Sequence, residues 1–276
     1  MLPTLTYLQF HLVFSLPVLG LLWYLAPRYD AMRQRRATVG IAILVAIAYF
    51  YTTPWISYMI RRGAWSYADG AVFVRALSIP LGEYLFFTVQ TVITGFALYL
   101  IGFDPTFRED DFDRKPRVAG ALAGITMLVG GLWLVTLGPS YLYLGGLIGW
   151  VGPVVALQWA VGGGYLVRTP RVWLAATLTP AAYFWVADRI AIAMGTWRLS
   201  AEFTTGVAVF GLPVEEMLFF AAAGVMTVNG LVLFEWVLDW NDRRGSVAES
   251  VRSEGSERDV PGPEPPADPD PDAVDD

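Results

Sequence analysis

Two prolines in this sequence each open an apolar run that carries a carboxylate three residues on. One run reads Ile79-Pro80-Leu81-Gly82-Glu83-Tyr84-Leu85-Phe86-Phe87; the other reads Leu212-Pro213-Val214-Glu215-Glu216-Met217-Leu218-Phe219-Phe220, at an offset of 133. Proline suits a first helical turn, where its missing N–H has no intrahelical partner. Glu83 and Glu216 then fall within that turn, and Phe86, Phe87, Phe219 and Phe220 follow at i+3 and i+4 on the same face. Apolar surroundings raise a carboxyl pKa, so such a group stays protonated near neutrality and can deliver a proton; a neighbouring carboxylate can take one back. The bland account is a Glu favoured by the helix dipole beside an interfacial aromatic belt. That account serves for one copy, but it gives no reason for the same Pro and Phe-Phe to recur around a second Glu. Ionisable groups at membrane depth are costly and usually functional. Glu83, Glu215 and Glu216 are therefore the candidate catalytic residues, with the four phenylalanines beside them.

Other polar residues carry weaker signals. Asp188 and Arg189, late in an apolar run, read first as a local ion pair near the interface and second as catalytic. His11, the one histidine, reads as a satisfied polar contact, and Glu202 as a loop residue. Arg75 either pairs with Glu83 or marks the interface.

These groups must be positioned by helices. The chain has 276 residues, 55% of them apolar, and a mean hydropathy of +0.48. A spanning helix needs about 20 mostly apolar residues, and seven such stretches occur, near 5–25, 38–60, 78–101, 117–137, 141–166, 171–194 and 206–238. The first lacks the basic flank of a cleaved signal peptide. A polar gap at 104–117 separates the halves. The net charge of −6 belongs to the acidic stretch 241–276, whose Ser, Gly, Pro, Glu and Asp cannot bury enough surface to order it.

The Pro runs are not the only recurrence. Ala48-Tyr49-Phe50 returns as Ala182-Tyr183-Phe184, Gly63-Ala64-Trp65 as Gly195-Thr196-Trp197, and Pro17 as Pro153. The reading is an all-α polytopic membrane protein of about seven transmembrane helices, in two parallel three-helix repeats plus a connecting helix. The first repeat is 1–103, the charged loop and connector 104–140, the second repeat 141–240, and the disordered tail 241–276. Parallel repeats pack about an axis along the membrane normal and tend to hold a site between them. One side of the membrane collects Arg28, Arg33, Arg35, Arg36, Arg108, Arg114, Lys115, Arg117, Arg168, Arg171, Arg243 and Arg244; the other has Arg61, Arg62, Arg75, Arg189 and Arg198. That asymmetry puts the N-terminus outside and the C-terminus in the cytoplasm of a multi-pass cell-membrane protein.

Several chemistries are excluded. With no cysteine there is no thiolate catalysis and no Cys-ligated metal. A retinal Schiff base needs a Lys within a span, and Lys115 lies in the charged gap. An iron oxygenase needs several histidines, and His11 is alone. Gly145-Gly146 and Gly162-Gly163-Gly164 lack the spacing of a dinucleotide fingerprint and suit close helix packing in a membrane instead. No cofactor, no metal and no nucleic-acid partner are expected. A transporter that uses paired carboxylates as proton or cation sites stays open, although the Pro motifs start helices instead of interrupting them.

The paired motifs give the chain a family resemblance. Two tandem three-helix units, each with a Pro, a Glu and an aromatic pair, resemble the fused two-domain lycopene cyclases of archaea, fungi and some bacteria. The match covers roughly residues 5–238 and includes Tyr7-Leu8, Thr53-Pro54-Trp55, Gly63-Ala64-Trp65, Gly195-Thr196-Trp197 and both Pro motifs. It departs at Gly82, where the fuller motif has Glu, and at Ile56, where an acidic residue is expected after Trp55. The resemblance implies non-redox cyclisation of lycopene to β-carotene via γ-carotene. It implies Glu216, Glu215, Glu83 and Asp188 as acid and base groups, and Phe86, Phe87, Phe219, Phe220, Trp65 and Trp197 against the substrate. It also implies a lipid-soluble carotenoid substrate among membrane lipid, and association with other carotenoid-pathway enzymes. A cyclase of C50 carotenoids fits the same residues.

Overall fold

The computed structural model describes residues 5–258. Among them, seven long helices follow one another: α1 (Tyr7–Leu25), α2 (Ala31–Arg62), α3 (Leu81–Ile101), α4 (Arg114–Thr136), α5 (Leu142–Arg168), α6 (Pro170–Met194) and α7 (Val214–Arg258). All but α6 are long and apolar enough to cross a membrane by length and composition. α6 has the length, with 25 residues, but two prolines and the Asp188-Arg189 pair lower its hydropathy. α3 and α7, the two helices that begin after the prolines, are the most enclosed: 61% and 44% of their apolar windows are buried, against 17% in α1, α2 and α4.

Each helix begins and ends for a local reason. Thr6 and Gln9 form a reciprocal capping box at the start of α1. Asp30 caps α2 by accepting from the backbone N–H groups of Met32 and Arg33. α2 and α6 both stop at a glycine in the left-handed region, Gly63 (φ 81°) and Gly195 (φ 75°), where a side chain would be strained. The chain then enters two short strands, β1 (Trp65–Tyr67) and β4 (Trp197–Leu199), which pair antiparallel with Ser66 opposite Arg198. Between β1 and α3 lie β2 (Arg75–Ala76) and β3 (Ile79–Pro80); between β4 and α7 lie β5 (Ala208–Val209) and β6 (Leu212–Pro213). Each of these pairs is a hairpin with a two-residue turn, Leu77-Ser78 and Phe210-Gly211, all four at positive φ.

Several long-range backbone bonds come in matched pairs. Tyr7 N–H donates to Ala71 O, and Tyr143 N–H to Phe203 O. Leu81 N–H donates to Val74 O, and Val214 N–H to Val207 O. Ala68 N–H donates to Thr196 O while Ser200 N–H donates to Ala64 O, an exchange across the β1–β4 pair.

α4 and α5 pack as a tight antiparallel pair through glycine. A Cβ on Gly131 would lie 2.5 Å from Gly145 O, and one on Gly152 would lie 2.6 Å from Gly124 O. Lipid is as apolar as the helices, so close backbone approach and hydrogen bonds hold such a pair together. Gly162, Gly163 and Gly164 likewise face Leu233, Arg117 and Asp111 at contact distance, as the sequence leads one to expect.

Two expectations are corrected, and the polar gap gains a structural role. The helices start and stop differently: α2 begins at Ala31, so Arg33, Arg35 and Arg36 lie in its first turns, and 208–213 is a hairpin, not the start of a span. The polar gap at 104–117 is folded around Asp111, which is buried and held by the Arg168 guanidinium (Nη2–Oδ2 2.8 Å) and the Trp236 indole. The stretch expected as a tail from 241 is helical to Arg258; the rest of that expectation, 259–276, lies outside the described residues.

Candidate active site

The two Pro motifs deliver their carboxylates to one place. Pro80 and Pro213 end the hairpin strands, and the helix begins at the next residue, so Glu83 and Glu216 both sit in the first turn. A cavity of about 50 Å³ opens there, lined by Glu83, Glu216 and Asp188 and walled by Phe86, Phe184, Phe219, Phe220, Trp65 and Trp197. Trp65 and Trp197 reach it because the glycine turns after α2 and α6 swing β1 and β4 under the helix ends. The rings of Phe184 and Phe220 stack at 5.5 Å, and Phe86 meets both edge-on.

Each carboxylate is held by aromatic donors. Glu216 Oε1 accepts from the Trp65 indole and from the Tyr143 hydroxyl, both at 2.9 Å. Glu83 Oε1 accepts from the Tyr67 hydroxyl at 2.8 Å, and Tyr7 lines the same cavity. Burial, with Glu83 adding to it, pushes the Tyr67 phenol well above its ordinary value, so it stays a donor at any physiological pH. Asp188 Oδ1 accepts from the Trp197 indole at 2.8 Å, and its Oδ2 is buried without a hydrogen-bond partner among the described residues.

Of the ten residues expected at the site, eight line this cavity. Glu215 does not. It is fully buried on the other side of the turn, where Oε1 accepts from the backbone N–H and hydroxyl of Thr205, both at 2.7 Å, and ties down the loop after β4. Adjacent helical residues point about 100° apart, so Glu215 and Glu216 cannot share a target. Phe87 also turns away, into a second groove beside the cavity.

The same geometry overturns the Asp188–Arg189 ion pair. Asp188 faces the cavity, whereas Arg189 donates to Phe210 O at 2.9 Å and props the second hairpin. Arg75 does not pair with Glu83; it lies over the Tyr67 ring and donates to Ser78 O. His11 is the satisfied contact expected of it. Its Nε2 lies 2.9 Å from Gly82 O, which can only accept, so Nε2 carries the hydrogen and Nδ1 accepts from Ser15. Gly82 is needed where it stands: a Cβ there would overlap the Tyr7 ring. Ile56 lines the same cavity as Asp188.

Sequence reasoning missed Tyr143, the donor to Glu216, and the place of Tyr7 in the cavity wall. A signal was present: Tyr7 and Tyr143 are separated by the same 136 residues as Pro17 and Pro153.

Comparison with known proteins places this constellation. No family model and no solved structure matches the chain. Over 219 residues, 77% of this chain and 88% of the relative, it is 44% identical to the lycopene beta-cyclase of Halobacterium salinarum. It is 31% identical over 245 residues to the bifunctional lycopene cyclase/phytoene synthase of Aspergillus oryzae, covering 85% of this chain but only 40% of that protein. The corresponding protein of Gibberella fujikuroi is also 31% identical, over 82% of this chain and 39% of its own length. With the archaeal relative matched over most of both chains, this chain belongs to the lycopene beta-cyclase family.

Proposed function

We propose that the chain closes the ends of lycopene into rings without net oxidation or reduction, giving β-carotene by way of monocyclic γ-carotene. One observation carries this reading: three carboxyl side chains, Glu83, Asp188 and Glu216, face a single aromatic-walled cavity. A carboxylic acid adds a proton to the terminal double bond of the polyene. The tertiary cation is attacked by the neighbouring double bond, which closes a six-membered ring. A carboxylate then removes a ring proton, so atoms and electrons balance and only the bonding changes. Acid and base are drawn from Glu216, Asp188 and Glu83; Glu215 positions the loop through Thr205. Positioned acid and base groups each contribute about 10²–10⁴-fold. The faces of Phe86, Phe219, Phe220, Trp65 and Trp197 steady the cation by cation–π attraction, and the apolar walls keep water from trapping it.

The two halves act as a repeated unit in this reading, which the matched backbone bonds at Tyr7 and Tyr143 and at Ala68 and Ser200 support. The Arg and Lys asymmetry supports an outside N-terminus and a cytoplasmic C-terminus. The cavity then lies toward the outer face. The chain has no cysteine, so single cysteines report orientation directly. Glu202→Cys labels from outside intact cells, and Glu109→Cys labels only after permeabilisation; the reverse pattern inverts the topology. The fungal relatives join a cyclase and a phytoene synthase in one chain by name, which supports association with enzymes that supply the substrate.

The function is tested by incubating the purified chain with lycopene in liposomes made in D₂O. The expected product is β-carotene that has gained deuterium in its rings, because the added proton comes from an exchangeable carboxyl. Lycopene left unchanged by a folded chain overturns the reading, and ring closure without deuterium overturns the acid step.

A further inference from the structure

The carboxylate cavity, at about 50 Å³, admits the end of a long polyene and little more. Pockets that enclose whole drug-sized ligands run to roughly 300–1,000 Å³. The rest of a C40 chain must therefore lie elsewhere. A second space of about 540 Å³ adjoins the cavity, between α2, α3, α5 and α7. Phe219 stands in the wall of both. On α7 the larger space runs from Phe219 to Phe234, which at 1.5 Å per residue is about 22 Å along the helix axis. It thus leads away from the carboxylates, along the axis of α7. It also opens sideways. Ile47 of α2 and Leu157 of α5 line it and are 52% and 66% exposed. α2 and α5 are clamped near its upper end, where Tyr51 OH donates to Trp150 O at 2.6 Å and the two rings stack at 5.6 Å. Trp150 in turn lies 6.4 Å from Phe219, with the rings nearly parallel.

We infer that this groove between α2, α3, α5 and α7 holds the unreacted length of the carotenoid, loaded sideways from the bilayer, with Phe219 at the junction where the reacting end passes to the carboxylates. The occupant is a rod-shaped apolar polyene: the groove is long, its length runs parallel to the lipid chains, and it meets the reaction cavity end-on. Phe87, which faces away from the small cavity, falls into place as a wall of this groove. The inference rests on the cyclase reading and extends it to where the substrate lies.

The test fills the groove in the full-length chain and presents lycopene in detergent or liposomes. Ala223→Trp narrows the groove one turn from Phe219, and the double variant Ile47→Trp/Leu157→Trp closes its mouth. The double variant changes only half-exposed positions, so it keeps the test decisive if Ala223→Trp does not fold. Leu132→Trp, on the lipid face of α4 and 60% exposed, is the control. Two signals are read: conversion, and the circular dichroism that lycopene acquires when bound by a Glu216→Gln background. The expected result is that both groove variants lower conversion about 10²-fold and abolish the induced signal, while Leu132→Trp leaves both as in the parent. Folded groove variants that convert and bind lycopene as the wild type does overturn the groove and leave the cyclase intact. A wild type inert towards lycopene overturns the cyclase reading, and the groove assignment with it.

Discussion

Glu216 takes its two hydrogen bonds from Trp65 in β1 and Tyr143 in α5, so its orientation depends on three separate segments. A hydrogen bond inside a membrane protein contributes about 0.6–2 kcal/mol. Tyr143→Phe keeps the ring and removes one donor, so turnover should fall about tenfold with the protein still monodisperse, as pigment chromatography would read. Asp188→Asn keeps an acceptor for the Trp197 indole but cannot exchange a proton in the same way; conversion should drop by about 10²–10⁴-fold. Glu215→Gln is the contrast. It should lower the thermal midpoint by loosening Thr205 and leave ring closure running. Glu83 and Glu216 were legible because proline spacing and paired phenylalanines recur around them. Glu215 lies away from the cavity because about 100° separates helical neighbours, which a dipeptide of carboxylates does not reveal in sequence. Adjacency in sequence likewise suggests an Asp188–Arg189 pair, which the helix separates toward Trp197 and Phe210. Tyr143 carried no local motif; only its distance from Tyr7 marked it.

α4 and α5 show how a single glycine decides packing. Gly131 faces the α5 backbone, whereas a Cβ on Gly130 would meet nothing within 4 Å. Gly131→Leu should therefore lower the thermal midpoint strongly, since overpacking a tight contact costs about 1–3 kcal/mol. Gly130→Leu should hold or raise it, because leucine is the better helix former by roughly 1 kcal/mol. Equal effects would contradict the glycine interface. Helices were legible at this scale because a spanning helix needs about 20 apolar residues, a criterion that six of the seven long helices meet and α6 does not. Their ends were less so. The hairpins before α3 and α7 have strands of two residues, and the Leu77-Ser78 turn has none of the Asn or Gly that announces positive φ. α2 begins well before its apolar stretch because Asp30 caps a turn of charged residues, which a hydropathy reading assigns to the loop.

Carboxylates from both halves of the molecule meet in one cavity, not one in each half. A substrate with two reactive ends must then visit the same site twice, leaving as the monocycle and returning with its other end. Monocyclic product should appear before bicyclic product and should accumulate when lycopene is in excess. Glu83→Gln should slow both ring closures alike. A Glu83→Gln protein that makes the first ring at the normal rate and stalls at the second would instead indicate two independent sites. The recurrence of motifs in order predicts a site between two repeated units. Sequence alone does not show that Glu83 and Glu216 line one cavity, because that depends on β1 and β4 pairing and carrying Trp65 to Glu216.

The most direct measurement is the pigment composition of lycopene-accumulating cells that express the wild-type chain or Glu216→Gln at equal levels in the membrane. The account predicts β-carotene from the wild type and lycopene left almost wholly unconverted by Glu216→Gln. Equal β-carotene from both would contradict it, because the carboxyl group that the second Pro motif delivers to the aromatic cavity would then have no part in the chemistry.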